Sequence, residues 1–308
     1  MSQTNHPLPP GFMLETYRIE RQLAHGGFSI VYLAHDAAEN PVAIKEYLPN
    51  SLALRSADCI NPEISPENQA AFNHGLRCFF EEGRAVAKLD HPYLVKVTDF
   101  LRANGTVYLV MRYERGRTLL EHIHRRKGHL EEPFLRDLFG RVLDALDEVH
   151  SNGLLHLDIK PANIYLRADG TPVLLDFGAA RQALQGEGPY LKGMYTPGYA
   201  APEQYRGRKG LGPFTDFYAL GACMYASLSG SPPPPSDERS ESDTLELATR
   251  RWRGSYSSNF LSIIDYCLQL DPSLRPDNAG ILLEALTEGK SVPGASHGLM
   301  GKLRRMFS

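Results

Sequence analysis

At Gly116 the hydrophobic period of this chain changes, and that change limits the folds open to it. Before Gly116 the pattern is that of strands. Tyr17, Ile19 and Leu23 are apolar with polar neighbours between them, and Arg21 breaks strict alternation, as on a partly wet strand. A turn signal at His25-Gly26-Gly27 follows, then a β-branched run from Ser29 to Ala34. After Asn40-Pro41 comes a third strand, Val42 to Glu46. Two more, Leu94 to Arg102 and Thr106 to Tyr113, are joined by Asn104-Gly105. One helix interrupts them, with Ser65 as N-cap, Pro66 at its first position and an apolar stripe from Phe72 to Ala87. After Gly116 the period is 3.6, with Leu135, Leu138, Phe139, Val142, Leu143, Leu146 and Val149 on one stripe that stops at Asn152-Gly153. Further helices are predicted near Thr215 to Ser229, Phe260 to Leu270 and Asn278 to Leu286. Strands first and helices afterwards predict an α+β fold with a β-rich and an α-rich lobe.

Composition narrows the function. The 308 residues are 42% hydrophobic and 22% charged, which supplies a core and excludes wholesale disorder. Lys and Arg number 33 and Asp and Glu 36, for a net charge of −3, so nothing in the overall charge argues for nucleic acid. Cys59, Cys78, Cys223 and Cys267 show neither metal spacing nor the density of a disulfide scaffold. No stretch reaches the ~18 apolar residues of a membrane span. The apolar run Phe217 to Leu228 reads as a buried helix, and Pro232 to Asp243 as a flexible surface loop. The expected location is the cytoplasm.

Four segments carry chemistry. Leu23 to Val31 holds a glycine turn between two strands, which excludes the dinucleotide and Walker loops that need a following helix. Such a hairpin can cover phosphates from above, or be a plain turn. Val42-Ala43-Ile44-Lys45 ends an apolar strand on a lysine that points at a ligand or at solvent. His156 to Asn163 places three polar groups within eight residues. Asp158 can take a proton or orient a hydroxyl, Lys160 can sit near a transferring phosphate, and Asn163 offers oxygen to a hard cation. Asp176-Phe177-Gly178, at the exit of an apolar strand, suits a Mg²⁺ ligand on a hinge.

In this order, and with Ala201-Pro202-Glu203 after them, the segments resemble the protein kinase superfamily, in particular the bacterial eukaryotic-like Ser/Thr kinases. The resemblance covers residues 12 to 287. It implies a bilobal fold, an antiparallel sheet with one main helix followed by a mostly helical lobe. The expected divisions are an N-terminal extension 1–11, an N-lobe 12–111, a hinge 112–116, a C-lobe 117–288 and a basic tail 289–308. It implies a non-specific serine/threonine protein kinase using ATP and Mg²⁺, or Mn²⁺ in its place. Lys45 would grip the α- and β-phosphates and pair with Glu82, for which Glu81 is the competitor one helical step away. Asp158 would orient the acceptor hydroxyl, with Lys160 beside it. Asn163 and Asp176 would hold the metal. Ala24, His25, Gly26, Gly27, Phe28 and Ser29 would cover the phosphates, and Val31, Ala43 and Tyr165 would sandwich the adenine. Met111 would be the gatekeeper and Tyr113 part of the hinge. Asp216 would hold the backbone of the 156–163 loop, and Arg275 would pair with Glu203.

The chain also departs from the family. Ala24 and Ser29 stand where glycines are usual, which predicts a modestly weaker phosphate grip. Leu157 stands where an arginine usually meets an activating phosphate, and Asp176 to Glu203 contains no serine and one threonine, Thr196. Activation-loop Ser/Thr phosphorylation is therefore not the expected switch. The 37 positions from Lys45 to Glu82 exceed the family's usual spacing. The excess, 47–65, is either an inert loop or a surface where a regulatory partner sets Glu82. The tail, ending Lys302-Leu303-Arg304-Arg305-Met306-Phe307, is a second candidate partner site. Expected substrates are proteins with Ser/Thr acceptors, with no nucleic acid and no transmembrane segment. The alternative is a pseudokinase or nucleotide-binding scaffold.

Overall fold

The computed structural model describes residues 5–127, 130–177, 195–206 and 210–292. Gly178, Tyr190 and most of the tail lie outside the described residues. The chain folds as two compact units.

The first unit is an antiparallel sheet. Its strands are β1 (Met13–Leu14), β2 (Tyr17–His25), β3 (Ser29–His35), β4 (Pro41–Tyr47), β5 (Val97–Ala103) and β6 (Thr106–Arg112), in the order β1-β2-β3-β4-β6-β5. Helix α1 (Gln69–Val86) lies between β4 and β5 in the chain. The broken alternation of β2 is a pair of bulges, between Ile19 and Arg21 and between Gln22 and Ala24. Asn104 and Gly105 both have positive φ, at 52° and 71°, so the β5–β6 turn has the twist a two-residue hairpin needs. Strand β6 is buried from Thr106 to Met111 because both faces of the sheet are covered. Helix α1 covers one face so closely that a Cβ on Gly83 would lie 2.6 Å from the Leu109 side chain.

Two expectations change here. The helix begins at Gln69 with Asn68 as N-cap, not at Ser65. Residues 65–68 form a turn closed by Asn68 N–H to Ser65 O at 3.0 Å, and the Ser65 hydroxyl goes to Glu67. The inserted segment 47–65 is not wholly a surface loop either. Leu48, Leu52 and Ala53 join the core, and Arg55 is 1% exposed.

The second unit has a three-stranded sheet of β7 (Gly116–Thr118), β8 (Ile164–Arg167) and β9 (Pro172–Leu174). A Cβ on Gly116 would run into the carbonyl oxygen of Leu166, so only glycine lets β7 approach β8 there. The helices are α2 (Leu119–Arg126), α3 (Glu132–Ser151), α4 (Pro213–Ser229), α5 (Ser236–Glu241), α6 (Ala248–Arg251), α7 (Ser258–Cys267) and α8 (Ala279–Glu288). Thr118 and Glu121 form a reciprocal capping box at the start of α2. Helix α4 is buried from Thr215 to Leu228, which explains its lack of a polar face. No helix among the described residues is long and apolar enough to cross a membrane.

The segment Pro232 to Asp243 is a correction. Helix α5 lies inside it, anchored by polar side chains that leave no apolar periodicity to detect. Arg239, 4% exposed, donates to Asp243, to the Tyr218 hydroxyl and to Leu268 O, and the Ser236 hydroxyl donates to Ala200 O.

Candidate active site

Strand register gathers the candidate nucleotide contacts of the first unit. Ala24 lies opposite Val31, Val31 opposite Lys45, and Ala43 opposite Met111. Directly opposed residues share a face, as do residues two apart, so all five stand on one side of the sheet. Lys45 is on the side covered by α1, its Nζ 5.5 Å from the centre of the Phe79 ring. Glu82 is three residues beyond Phe79, on the same face of α1, and is half-buried. Glu81 is 67% exposed and faces Arg84 at 3.5 Å. Helix geometry thus favours Glu82 over Glu81 as the neighbour of Lys45.

The turn between β2 and β3 comprises Gly26, Gly27 and Phe28, closed by Gly26 N–H to Ser29 O at 2.9 Å. Neither glycine has a left-handed backbone. Their use is space, since a Cβ on Gly27 would meet nothing within 4 Å. That open side leaves room beside the backbone of the turn. Ala24 and Ser29 sit in the strands flanking the turn, so their side chains replace no glycine conformation. His25 ends β2 and Tyr113 follows β6.

In the second unit the loop after α3 concentrates polar groups around Asp158. Asn163 donates from Nδ2 to Asp158 Oδ2 at 2.8 Å and to Asp158 O at 2.9 Å. Both amide hydrogens are spent there, and its Oδ1 is the amide atom that could accept from a donor or a cation. Lys160 Nζ lies 3.0 Å from Asp158 Oδ2 and donates to the Thr196 hydroxyl at 3.1 Å. Asp158, Tyr195, Thr196, Tyr199 and Gln204 line a small pocket with Leu157. Strand β9 ends at Leu174, and Leu175 N–H bonds to Asn163 O at 2.8 Å, which brings Asp176 to the Asn163 loop. A carboxylate and an amide oxygen are hard donors, the type that could hold a divalent cation. Tyr165 lies in β8, paired with Thr118 and Val173.

Deeper residues hold this loop. Asp216, fully buried at the start of α4, accepts the backbone N–H groups of His156 at 2.9 Å and Leu157 at 2.8 Å, and His150 Nε2 at 2.8 Å. His156 Nε2 donates to Leu175 O at 2.8 Å, so its Nδ1 accepts the Asp158 N–H at 3.3 Å. Burial lowers the His156 pKa against the opposing pull of Asp216, Asp158, the Leu175 carbonyl and Asp176, and keeps the ring neutral. Its ring stacks on Phe177 at 4.6 Å. Arg275 and Glu203 form a buried two-pronged pair at 2.7 and 2.9 Å, and Thr215 donates to the same carboxylate.

Asp216 and the Arg275–Glu203 pair stand where the sequence reading expected them, but other supports were missed. Gln204 donates to Leu157 O at 3.0 Å, and Glu46, Arg55 and Asn5 form a buried network in the first unit. One signal existed for Glu46: strand alternation puts it on the face opposite Lys45.

Comparison with known proteins finds one family and several relatives. The family described as protein kinase domain matches residues 17–286. Serine/threonine-protein kinase C of Synechocystis sp. is 30% identical over 277 residues, 88% of this chain and 49% of its own. Serine/threonine-protein kinase PknA of Nostoc sp. is 30% identical over 283 residues, 89% of this chain and 47% of its own. The chain thus spans about half the length of these curated relatives. A solved structure described as PpkA-294 apo form superposes with a TM-score of 0.82 at 35% identity, covering 91% of this chain and 99% of that one.

Proposed function

Since the chain belongs to the protein kinase family, we propose that it transfers the γ-phosphate of ATP to serine and threonine hydroxyls of proteins. The observation that carries the reading is the set of contacts on Asp158, with Asn163 on Oδ2 and Lys160 between that carboxylate and Thr196. Phosphoryl transfer asks a protein for positioning and charge neutralisation. Asp158 orients the acceptor hydroxyl and takes its proton. Lys160 offsets negative charge beside it. Lys45, held by β4 and placed next to α1, binds the α- and β-phosphates, with Glu82 as its partner. The Ala24–Ser29 turn covers the phosphates, while Val31, Ala43, Met111, Tyr113 and Tyr165 are the proposed contacts of the base and hinge. Asn163 and Asp176 would hold Mg²⁺, which when bound supplies positive charge to the phosphate oxygens.

Activation-loop Ser/Thr phosphorylation is not the proposed switch. Leu157 offers no cation to a phosphate, and the Thr196 hydroxyl already accepts from Lys160. The proposed setting is the cytoplasm, in keeping with four cysteines that form no disulfide. Regulatory partners would meet the exposed stretch 56–59 of the insert, or the tail.

The test is transfer from labelled ATP to the chain itself and to a generic basic protein, with Mg²⁺ and separately Mn²⁺. Phosphoserine or phosphothreonine that Asp158→Asn and Asp176→Ala both abolish establishes the reading. ATP binding without transfer would replace it by a nucleotide-binding scaffold. Mapping the modified residues tests the regulation, and an activating phosphate on Thr196 would reject that part.

A further inference from the structure

Successive side chains of a strand point to opposite faces, so Lys45 and Glu46 face opposite ways. On the side of Lys45, Tyr47 rests against Phe72 and Phe79 of α1. On the other side Glu46 is fully buried, and each of its oxygens takes two donors. Oε1 accepts from Arg55 Nη1 at 2.6 Å and the Tyr108 hydroxyl at 2.8 Å. Oε2 accepts from Arg55 Nη2 at 2.7 Å and the Tyr32 hydroxyl at 2.6 Å. That fills the acceptor capacity of a carboxylate. Arg55 is equally satisfied, with Nε on His6 O at 2.7 Å, Nη1 also on Ile60 O at 3.5 Å and Nη2 also on the Tyr32 hydroxyl at 2.9 Å.

The same network reaches the glycine turn. Beyond β4, Leu48 N–H bonds to Phe28 O at 3.0 Å and Asn50 N–H to Gly27 O at 2.9 Å. The Asn50 side chain accepts from Asn5 Nδ2 at 2.8 Å. Asn5 also accepts the Arg55 N–H at 2.5 Å and donates to Ala53 O at 3.1 Å. The N-terminal arm and the insert are therefore tied, through one buried ion pair and the asparagines Asn5 and Asn50, to the strand of Lys45 and to the turn at Gly27 and Phe28.

We propose that Arg55 is a positioning residue, by which the insert and the N-terminal arm clamp Lys45 and the glycine turn in their nucleotide-binding geometry. The proposal rests on the reading of Lys45 and that turn as nucleotide contacts. A buried ion pair is poor at raising stability, because apolar residues of similar volume often serve as well. Apolar contact is non-directional, whereas a two-pronged guanidinium–carboxylate pair fixes an orientation. Removing Arg55 alone also strands the buried Glu46 carboxylate and lowers the stability of the first unit, so the positioning role is read by segment and by ligand rather than from global unfolding.

The experiment uses the full chain with Arg55→Met, Arg55→Lys and Asn5→Ala. It reads amide hydrogen exchange by segment, and KM for ATP and for a protein acceptor separately. In Arg55→Met, exchange across 26–50 should quicken ~10-fold while that of α4 stays unchanged. KM for ATP should rise ~10-fold, with acceptor KM within about twofold of the parent. Arg55→Lys keeps the charge but loses the fork, and should fall between parent and Arg55→Met. Asn5→Ala should show the same pattern at about threefold, and with Arg55→Lys it carries the test if Arg55→Met does not fold. Unchanged exchange across 26–50 in folded variants, or ATP and acceptor KM rising together, would overturn the proposal. Faster exchange in the variants of a parent that transfers no phosphate would sink the kinase reading and leave the clamp standing. A parent that transfers phosphate, with variants indifferent in exchange and ATP KM, would sink the clamp alone.

Discussion

The Asp216 carboxylate accepts the backbone N–H of Leu157 at 2.8 Å, and Leu157 has a φ of +62°. A leucine rarely adopts that region, so the neighbouring structure must hold it there. Asp216 does so while also fixing His156, and thereby sets where Asp158 begins. Asp216→Ala would leave two N–H groups without their acceptor, at a cost of about 3 kcal/mol in urea unfolding. Phosphate transfer should fall ~100-fold, since misplacement of a reacting group by about 1 Å costs that much. Transfer within threefold of the parent would refute this.

Glu203 and Arg275 should be strongly coupled. Arg275→Met strands a buried carboxylate and should cost about 3–5 kcal/mol, while Glu203→Gln should cost less. A double-mutant cycle measured by denaturant unfolding should give a coupling above ~1 kcal/mol. Simple additivity would count against it.

The two neighbouring glutamates of α1 should behave differently. Glu82→Gln should reduce kcat/KM for transfer by ~100-fold, as expected when a charged positioning contact is lost. Glu81→Gln should change it less than ~2-fold, because that side chain serves only an exposed pair worth under about 1 kcal/mol. Equal losses in both variants would undo the assignment.

Stability should fall between pH 7 and pH 5. The His156 pKa lies below its ordinary value of 6.5 because the ring is buried. Above 6.5 neither state binds the proton, and nothing is lost. Below 6.5 the unfolded chain takes it up and the folded one does not, so stability drops by up to about 1.4 kcal/mol per pH unit. His122, also lowered by burial and by Arg117, Arg126 and Arg125, adds to the same window. Urea midpoints from pH 8 to 5 measure this, and His156→Gln should flatten the profile. A flat profile in the parent would contradict it.

Much of the site was legible because it is local. Asp158, Lys160 and Asn163 lie within six consecutive positions, and a loop that short brings its polar side chains together whatever surrounds it. The Asn104-Gly105 hairpin was legible for the same reason, since its left-handed backbone depends on the residues themselves. Helix α5 was not legible, because Arg239 and Ser236 hold it by hydrogen bonds to residues distant in sequence. The start of α1 was misplaced because the Ser65 hydroxyl, a plausible cap, bonds to Glu67 instead.

From the sequence alone came the change of period at Gly116, the order of the motifs and the residue types that phosphoryl transfer requires. These follow from local periodicity and from the chemistry of single side chains. Only the tertiary structure decided that Glu81 faces solvent while Glu82 shares the Phe79 face, that Asp216 holds Leu157 in a left-handed backbone, and that Arg55 meets Glu46. The reason is physical. A buried charge is tolerable only where the fold completes its partners, and those of Glu46 come from positions 32, 55 and 108, which no local pattern brings together.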